Sequence, residues 1–320
     1  MKVLVTGGTS MLGAATAHAL AARGDIVTLL QRSASGSLHR EVRADINDAV
    51  AVRQALEGHD AVVHLAARVG VVGSRADFNL ANVQGTRTLV DAMAETGVPR
   101  LVHVSSPSVA HSGHALVGAG AGPANPAEVR GHYSRSKAEA ELVALGSDLP
   151  AVVAIRPHLV WGPGDTQLIG RIVERARSGR MALVGGGTAL IDTTWVDNAA
   201  DALVAAVDRA PFLHGEVLVV SNGEPRTVAE LFGRIARAAG LQPSGRVVPA
   251  GVASAAGAVA ETLWAASRRQ EDPPMTRFLA EQLSTAHWFD QRRTREALQW
   301  KPTVSLDEGF ARLTRWYDSG

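Results

Sequence analysis

The segment Lys2–Gly13, which reads KVLVTGGTSMLG, decides the fold class of this chain. It begins with a short apolar run, Lys2–Val5, and passes through a glycine-rich turn into Met11–Arg23, where apolar residues recur at helical spacing. A strand that turns through glycines directly into a helix is the opening unit of a doubly wound α/β sheet. At such a turn the first N–H groups of the helix remain free to bind a ligand.

The same alternation of strand and helix continues through the first half of the chain. Further strands are predicted at Ile26–Leu30, Ala61–Leu65, Leu101–Val104 and Ala151–Ile155. Helices are predicted at Asp48–Leu56, Phe78–Thr96 and Ser134–Leu145. Apolar runs without alternation are typical of parallel strands that are buried on both faces. We therefore predict a Rossmann-type doubly wound parallel sheet over residues 1–160 and a smaller, mostly helical substrate lobe over 161–320, with segments near 190–220 returning to the sheet.

Composition and charge exclude several classes of protein. The chain has 320 residues, 46% hydrophobic and 20% charged, with a net charge of +1, so we expect a globular protein without a nucleic-acid partner. It has no cysteine, which excludes disulfides, thiolate nucleophiles and Cys-ligated metals. The histidines lack His-Glu-x-x-His spacing, and we predict no metal site.

The compartment is expected to be the cytoplasm. The apolar run at the N-terminus is too short for a signal peptide. Gly251–Ala266 is Ala-rich but interrupted by Glu261, and it is too short to span a bilayer. We predict a packed helix there, with contact between this helix and a membrane surface as the less favoured alternative.

The glycine turn is a candidate pyrophosphate site. The middle glycine of the usual G-x-x-G-x-x-G spacing is replaced by Ser10, a small residue whose hydroxyl can donate to a phosphate oxygen. We therefore expect the turn and the helix N-terminus to bind a dinucleotide. The residues assigned to this contact are Gly7, Thr9, Ser10, Met11 and Gly13.

The residues after the second predicted strand bear on the choice of dinucleotide. An acidic side chain there binds the ribose 2′-hydroxyl of NAD, whereas this chain has Arg32 and Ser33, which suit a 2′-phosphate. We therefore expect NADP(H) to be favoured over NAD(H). Asp45 and Ile46, after the next strand, stand where they can reach the adenine amine.

Tyr133 and Lys137 stand four residues apart in a predicted helix, so their side chains share one face. An ammonium near a phenol lowers the pKa of that phenol, which eases proton exchange at neutral pH. Tyr133 is then suited to give a proton to a ketone oxygen while hydride reaches the carbon. We expect Lys137 to hold the nicotinamide ribose as well.

A serine cluster follows the predicted strand Leu101–Val104, at the sheet edge where open α/β sheets bind ligands. Ser106 is the candidate for orienting the substrate oxygen, with Ser105 and Ser108 as neighbours. The alternative is a serine-rich loop that only caps backbone donors.

A set of motifs over residues 1 to about 200 resembles the extended short-chain dehydrogenase/reductase superfamily. The motifs are the glycine turn, Asp45-Ile46, His64–Ala67, Asn82–Thr86, Ser105-Ser106, Tyr133-x-x-x-Lys137 and Arg156-Pro157. The resemblance implies a catalytic triad of Ser106, Tyr133 and Lys137. It also implies further cofactor contacts at Leu65, Ala66, Ala67, Asn82, Lys137 and Pro157.

Other segments resemble particular branches of that superfamily. Val109-Ala110 is similar to the 3β-hydroxysteroid dehydrogenase branch. Trp161–Leu168, Asp192–Ala200, Ser221–Pro225 and Thr276–Leu283 resemble the 2-alkyl-3-oxoalkanoate reductases of bacterial long-chain olefin biosynthesis. This implies NADPH-dependent reduction of a lipid β-keto acid to the β-hydroxy acid. Assembly with other olefin-pathway enzymes and a homo-oligomer are left open.

The substrate contacts and the competing functions follow from this resemblance. A substrate carboxylate needs a cation, for which Arg68, His158 and His287 are candidates, and two alkyl tails need an apolar groove, which the Trp-bearing C-terminal region suits. A sterol dehydrogenase and a sugar-nucleotide epimerase or reductase are alternatives on the same scaffold. An NADP-sensing regulatory protein would not need the triad, and a hydrolase would need a Gly-x-Ser-x-Gly elbow, which is absent.

Overall fold

A computed structural model describes the chain at residues 1–70, 72–111, 113–243, 245–266 and 275–319. Its strands are β1 (Lys2–Thr6), β2 (Ile26–Gln31), β3 (Arg40–Arg43), β4 (Ala61–His64), β5 (Arg100–Val104), β6 (Leu116–Ala119), β7 (Ala151–Pro157), β8 (Val160–Trp161), β9 (Ala182–Val184), β10 (Leu190–Ile191), β11 (Thr194–Trp195), β12 (Val217–Val220), β13 (Arg226–Thr227), β14 (Arg246–Val248) and β15 (His287–Phe289). Its α-helices are α1 (Met11–Ala22), α2 (Ala49–Leu56), α3 (Arg75–Phe78), α4 (Gly85–Thr96), α5 (His132–Leu145), α6 (Ile169–Arg177), α7 (Val196–Arg209), α8 (Val228–Ala238), α9 (Ala250–Ala266), α10 (Arg277–Ser284), α11 (Arg292–Leu298) and α12 (Leu306–Ser319).

The central sheet has seven strands in the order β12-β7-β5-β4-β1-β2-β3, and every neighbouring pair is parallel. Helices α1 and α7 cover one face, where Leu20 and Leu203 pack against the sheet. Helices α2, α4 and α5 cover the other face, where Leu56 and Leu89 are fully buried. The predicted doubly wound parallel sheet is confirmed.

The segment predicted as one helix over Phe78–Thr96 is divided into α3, a π-helical turn at Asn79–Gln84 and α4. The Thr86 hydroxyl donates to the Asn82 carbonyl at 2.6 Å. A side chain thus provides a hydrogen bond to a backbone carbonyl within this widened turn. Single π turns inside helices are frequent at functional sites. Periodicity alone does not reveal such a turn, because the apolar spacing on either side stays helical.

The second half of the chain builds its own core and also adds to the central sheet. Strand β12 pairs with β7 at the edge of the sheet. A separate cluster centres on Trp161, which stacks on Phe310 with ring centroids 4.9 Å apart and meets Trp195 edge-on at 5.1 Å. The predicted substrate lobe of residues 161–320 includes positions 244, 267–274 and 320, which lie outside the described residues.

Helix α9 covers the segment predicted as a packed Ala-rich helix. Its buried residues Ala253 and Gly257 lie toward α10, whereas Val252, Val259 and Leu263 are exposed. Within the described ranges, no helix combines the length and apolar character that spanning a bilayer requires.

A buried ion pair fixes α5 to the sheet. Arg156 on β7 and Glu141 on α5 are 0% and 1% exposed, and two guanidinium nitrogens donate to the two carboxylate oxygens, Nε at 2.8 Å and Nη2 at 2.6 Å. The third nitrogen, Nη1, donates to the carbonyls of Ala121 and Gly122. Such bidentate geometry with the remaining donors satisfied is what makes a buried charge pair tolerable.

We predict that Glu141→Gln lowers the free energy of unfolding by about 3–5 kcal/mol, because it leaves the Arg156 charge buried without a counter-charge. The matched control is Glu139→Gln on the same helix, whose partner Arg75 lies 3.9 Å away and is mostly exposed, so a change below about 1 kcal/mol is expected. Urea unfolding curves of the two variants measure both values. Equal losses in the two variants would contradict the assigned role of the buried pair.

Candidate active site

The turn between β1 and α1 depends on glycine at two positions. Gly7 has φ +76°, and a Cβ there would lie 2.8 Å from the Ala66 backbone nitrogen. A Cβ at Gly13 would overlap the Gly7 carbonyl oxygen. The two glycines therefore allow the close packing that leaves the N-terminus of α1 open at the carboxyl edge of the sheet.

Ser10 has a different role from the predicted phosphate contact. Its hydroxyl donates to the Gly7 carbonyl at 2.9 Å and accepts from the Gly13 N–H at 3.0 Å, so it caps α1. The hydroxyl proton is thus used within the turn. The N–H groups of Met11 and Leu12, in the first turn of the helix, lack an intrahelical acceptor and are the better donors for an anion.

A cavity of about 360 Å³ opens beside this turn. It is lined by Gly7, Thr9, Ser10, Leu30, Gln31, Arg32, Ser33, Ala44, Asp45, Ile46, Asn47, Leu65, Ala66, Ala67, Arg68, Asp77, Leu80 and Ala81. Ten of the predicted cofactor residues therefore surround one space. A helix N-terminus at one end and an exposed arginine and serine at the other suit a dinucleotide phosphate, so the residues present fit an NAD(P) cofactor.

The other predicted cofactor residues lie outside the lining of this cavity. Met11 and Gly13 are in the first turn of α1, and Pro157 ends β7. Asn82 is 1% exposed and acts on the backbone: its Oδ1 accepts from the Arg68 N–H at 2.6 Å, and its Nδ2 donates to the Arg68 carbonyl. Through these two bonds Asn82 fixes the backbone at Arg68, directly after Leu65–Ala67, the segment predicted to contact the cofactor.

A buried histidine links the glycine turn to the π turn. Thr6 Oγ1 accepts from the Ala66 N–H at 3.0 Å and lies 2.8 Å from His64 Nδ1. The Thr86 hydroxyl is committed to the Asn82 carbonyl, so it accepts from His64 Nε2 at 3.0 Å. Nε2 therefore carries a proton, and burial, which lowers the pKa of His64 to about 3, keeps the ring neutral, so Nδ1 accepts from the Thr6 hydroxyl. Sequence reasoning noted His64 only as part of a motif.

The structure brings Ser106, Tyr133 and Lys137 together at the carboxyl ends of β5 and β7. Tyr133 and Ser106 are joined by a side-chain hydrogen bond, and Ser106 Oγ lies 3.0 Å from Ser108 Oγ. Lys137 is 4% exposed, and its Nζ donates to the Val104 carbonyl at 2.6 Å. The lysine is therefore held at the end of β5, directly before the serines.

The protonation of this group differs from the prediction for Tyr133. Burial raises the pKa of the Tyr133 phenol, and the hydrogen bond from Ser106 only partly opposes this. Burial also lowers the pKa of Lys137 to about 8, with Glu141 opposing. The chain's own residues therefore do not acidify the phenol as expected, because desolvation is the largest effect on this pKa and the group that opposes it is Ser106 rather than the Lys137 ammonium. A phenol that stays protonated at neutral pH is suited to give a proton to a carbonyl oxygen.

Two further cavities meet at Tyr133. The smaller, about 370 Å³, is lined by Ser105, Ser106, Pro107, Ser108, His111, Leu116, Tyr133, Pro157, His158, Leu159, Leu168, Ile191, Phe232, Phe278, Leu279, Gln282, Leu283, His287 and Phe289. The larger, about 650 Å³, is lined by Gly70, Val72, Gly73, Val129, Arg130, Gly131, His132, Tyr133, Ser134, Arg135, Glu261, Trp264, Thr276, Arg277 and Phe278. Tyr133 and Phe278 belong to both linings.

The predicted apolar groove is built mainly by aliphatic and phenylalanine side chains of α10 and of the loops after β7. Of the C-terminal tryptophans, Trp264 lines the larger cavity. Trp300 belongs to the core beneath the sheet, and Trp316 is 44% exposed. The composition therefore indicates the right region of the chain but not the residues that form the groove.

The three candidate cations for a carboxylate lie in different places. Arg68 lines the cofactor cavity, and its guanidinium lies 5.4 Å from the centre of the Phe78 ring. His158 and His287 both line the smaller cavity, where burial lowers their pKa values, that of His287 to about 4. Both rings are therefore neutral at pH 7.

Comparison with known proteins agrees with this geometry. Residues 3–221 match the NAD dependent epimerase/dehydratase family. The chain is 40% identical to a 2-alkyl-3-oxoalkanoate reductase of Stenotrophomonas maltophilia over 98% of each chain, and 35% identical to one of Shewanella oneidensis over 97% of this chain and 84% of that protein. A dTDP-glucose 4,6-dehydratase double mutant of Streptomyces venezuelae, solved with NAD bound, has a TM-score of 0.75 and 26% identity over 100% of this chain and 99% of its own.

We predict that Tyr133→Phe lowers kcat for ketone reduction about 100-fold or more and leaves NAD(P)H binding nearly unchanged, because only the proton donor is removed. The matched control is Tyr317→Phe, the other tyrosine of the chain, which packs on Trp316 away from the cavities. NADPH oxidation measures turnover and a fluorescence titration measures binding. Full turnover in Tyr133→Phe would remove this phenol from the mechanism.

Proposed function

The chain belongs to the NAD dependent epimerase/dehydratase family of extended short-chain dehydrogenases/reductases, and from this membership we propose that it reduces 2-alkyl-3-oxoalkanoates with NADPH. It is an NAD(P)-dependent oxidoreductase, and the reductases that it resembles at 35% and 40% identity identify it as a ketoreductase. The observation that carries the finer proposal is the position of Tyr133, where two cavities meet beside Ser106 and Lys137.

The proposed reaction converts a ketone to a secondary alcohol. When bound, the nicotinamide cofactor supplies the hydride that forms the new C–H bond at the carbonyl carbon. Tyr133 donates its hydroxyl proton to the carbonyl oxygen, and Ser106, which hydrogen-bonds Tyr133, orients that oxygen. Lys137, held by the Val104 carbonyl, keeps a positive charge below about pH 8 that stabilises the phenolate left behind.

The two cavities support a substrate with two alkyl branches. The carbon next to the ketone of a 2-alkyl-3-oxoalkanoate carries one branch, and the other side of the ketone carries the second. A reacting centre that lies at the meeting point of two cavities can accept one branch in each. Leu159, Leu168 and Phe232 give the smaller cavity an apolar wall that suits an alkyl chain.

Arg32 and Ser33 support the preference for NADPH. Both are exposed at the edge of the cofactor cavity, directly after β2. Glu41, an acidic residue on the neighbouring strand, hydrogen-bonds Gln31 at 3.0 Å and the Ser35 backbone at 3.0 Å and is not part of the cavity lining. Arg32 and Ser33 thus supply donors that suit a 2′-phosphate, while the acidic residues of the lining, Asp45 and Asp77, do not directly follow β2.

The setting of the reaction is also part of the proposal. The similarity to 2-alkyl-3-oxoalkanoate reductases supports a step in long-chain olefin biosynthesis, in the cytoplasm. Assembly with other enzymes of that pathway would allow the β-hydroxy acid to pass on without leaving an apolar environment. A homo-oligomer is compatible with the same proposal.

We predict that Arg32→Ala raises the Kd for NADPH about 10-fold or more and changes the Kd for NADH less than 2-fold, since a charge-assisted contact of about 1.5–3 kcal/mol is lost only with the 2′-phosphate. The control is Arg43→Ala, an exposed arginine on β3 that is not part of the cavity lining. Titration of cofactor fluorescence measures the Kd of each cofactor for the wild-type chain and for both variants. Equal losses for both cofactors would refute the NADPH assignment.

We predict that the wild-type chain oxidises NADPH with long-chain 2-alkyl-3-oxoalkanoates and not with sterols or UDP-sugars. In Leu279→Trp, which fills the smaller cavity, the KM of a long-chain substrate rises about tenfold because several methylene groups lose burial, and that of 2-methyl-3-oxobutanoate does not. The control is Phe212→Trp at an exposed position, 74% accessible. Faster turnover of a sterol or a sugar nucleotide than of the 2-alkyl-3-oxoalkanoate would show that the proposed substrate class is wrong.

A further inference from the structure

We propose that His158 holds the substrate carboxylate and takes up one proton when the substrate binds. The inference rests on the proposed function, because it assumes a β-keto acid as substrate. In such an acid the carboxylate is joined to the ketone carbon through a single carbon atom. It therefore lies close to Ser106 and Tyr133, and of the two cavities that meet at Tyr133 the smaller is the one that Ser106 also lines.

The smaller cavity has no permanent positive charge. Within the described part of the chain, its lining contains no lysine, arginine, aspartate or glutamate, and its titratable groups are His111, Tyr133, His158 and His287. An unpaired carboxylate in such a space would lose its hydration without compensation. A histidine that becomes protonated is thus the source of counter-charge that this cavity offers.

The hydrogen bonds of His287 fix the tautomer of His158. His287 Nε2 lies 2.8 Å from the Gln282 carbonyl, which can only accept, so the proton of His287 is on Nε2. His287 Nδ1 is then an acceptor, and His158 Nε2 donates to it at 3.2 Å. The neutral His158 therefore has a bare lone pair on Nδ1.

That lone pair is buried without a partner. His158 is 6% exposed, and among the described residues its Nδ1 has no hydrogen bond of normal geometry. Ser105 Oγ and His111 Nε2, on two further residues of this lining that are also 6% exposed, are buried without a partner as well. Three unpaired polar atoms in one largely apolar space beside the reacting groups indicate that the ligand brings a polar group there.

Protonation of Nδ1 completes this arrangement. A doubly protonated His158 donates through Nε2 to His287 and through Nδ1 to a carboxylate, and every other bond of the pair is kept. If both rings instead changed tautomer, His287 Nε2 would carry no proton and would face the Gln282 carbonyl, which is also an acceptor. Leu159, the next residue, holds a left-handed backbone at φ 43°, and such strained positions are typical of functional sites.

The charges around His158 set the direction of the effect. Burial first, then the neighbouring His287 and His111, hold the pKa of His158 well below its ordinary value, whereas the Asp192 backbone favours the protonated ring. The ring is therefore neutral before the ligand enters. A carboxylate in contact with Nδ1 raises this pKa, so binding at neutral pH takes up a proton, and affinity falls as pH rises.

The test is calorimetric titration of the NADPH-bound chain with the product, a 2-alkyl-3-hydroxyalkanoate, in buffers of different ionisation enthalpy, because this pair holds no hydride acceptor and cannot react. We expect uptake of nearly one proton per acid bound, an affinity that falls about tenfold per pH unit across the range of uptake, and no uptake with the methyl ester. In His158→Gln we expect uptake to disappear and affinity to fall at least tenfold. His18→Gln, an exposed histidine on α1, is the control.

The outcomes separate this inference from the proposed function. Wild-type protein that reduces the β-keto acid but binds the product without proton uptake overturns the inference alone. If Arg135→Ala weakens binding of the acid and His158→Gln does not, the carboxylate binds in the larger cavity, and the inference about His158 is wrong. Failure to bind or reduce any β-keto acid overturns both. The comparison of acid and ester in wild-type protein needs no variant, so it holds even where His158→Gln is poorly folded.

Discussion

The buried pair of Glu141 and Arg156 is the contact on which the geometry of the site depends. Tyr133, Lys137 and Glu141 follow one another at four-residue spacing along α5, so the charge that anchors the helix lies on the same face as the two reacting groups. Arg156 lies two residues before His158, at the end of β7. One bidentate contact therefore sets the distance between the helix that carries the proton donor and the strand that leads into the smaller cavity.

A second polar network joins this half of the site to the cofactor side. Thr6, at the end of β1, contacts His64, which contacts Thr86, and Thr86 donates to the Asn82 carbonyl. The Asn82 side chain then donates to Ser136 Oγ at 2.8 Å, one residue from Lys137. The glycine turn and α5 are thus connected by directed hydrogen bonds, each with a fixed donor. Burial keeps this ring neutral, so His64 Nδ1 stays an acceptor for the Thr6 hydroxyl and the direction of each bond is fixed.

The features that can be predicted from the sequence are those that depend only on residues close together along the chain. The apolar runs and the glycine turn indicate the sheet, and the spacing of Tyr133 and Lys137 indicates a shared helix face, because each signal spans a few residues. The π turn, the capping role of Ser10 and the raised pKa of Tyr133 depend on partners or on burial that tertiary packing determines. No local pattern contains that information. The same is true of His158, whose proton position follows from a residue 129 positions away.

Burial gives the cleft a consistent electrostatic character. It raises the pKa of Tyr133 and lowers those of Lys137, His64, His158 and His287, so each group is moved toward its uncharged form. A nearly neutral, desolvated cleft holds a protonated phenol ready for reduction and disfavours the phenolate that oxidation requires. An unpaired carboxylate is disfavoured in the smaller cavity, whose lining among the described residues has no permanent cation. A β-keto acid can enter such a site when its charge is matched by a proton, and the free lone pair of His158 lies where that proton would be held.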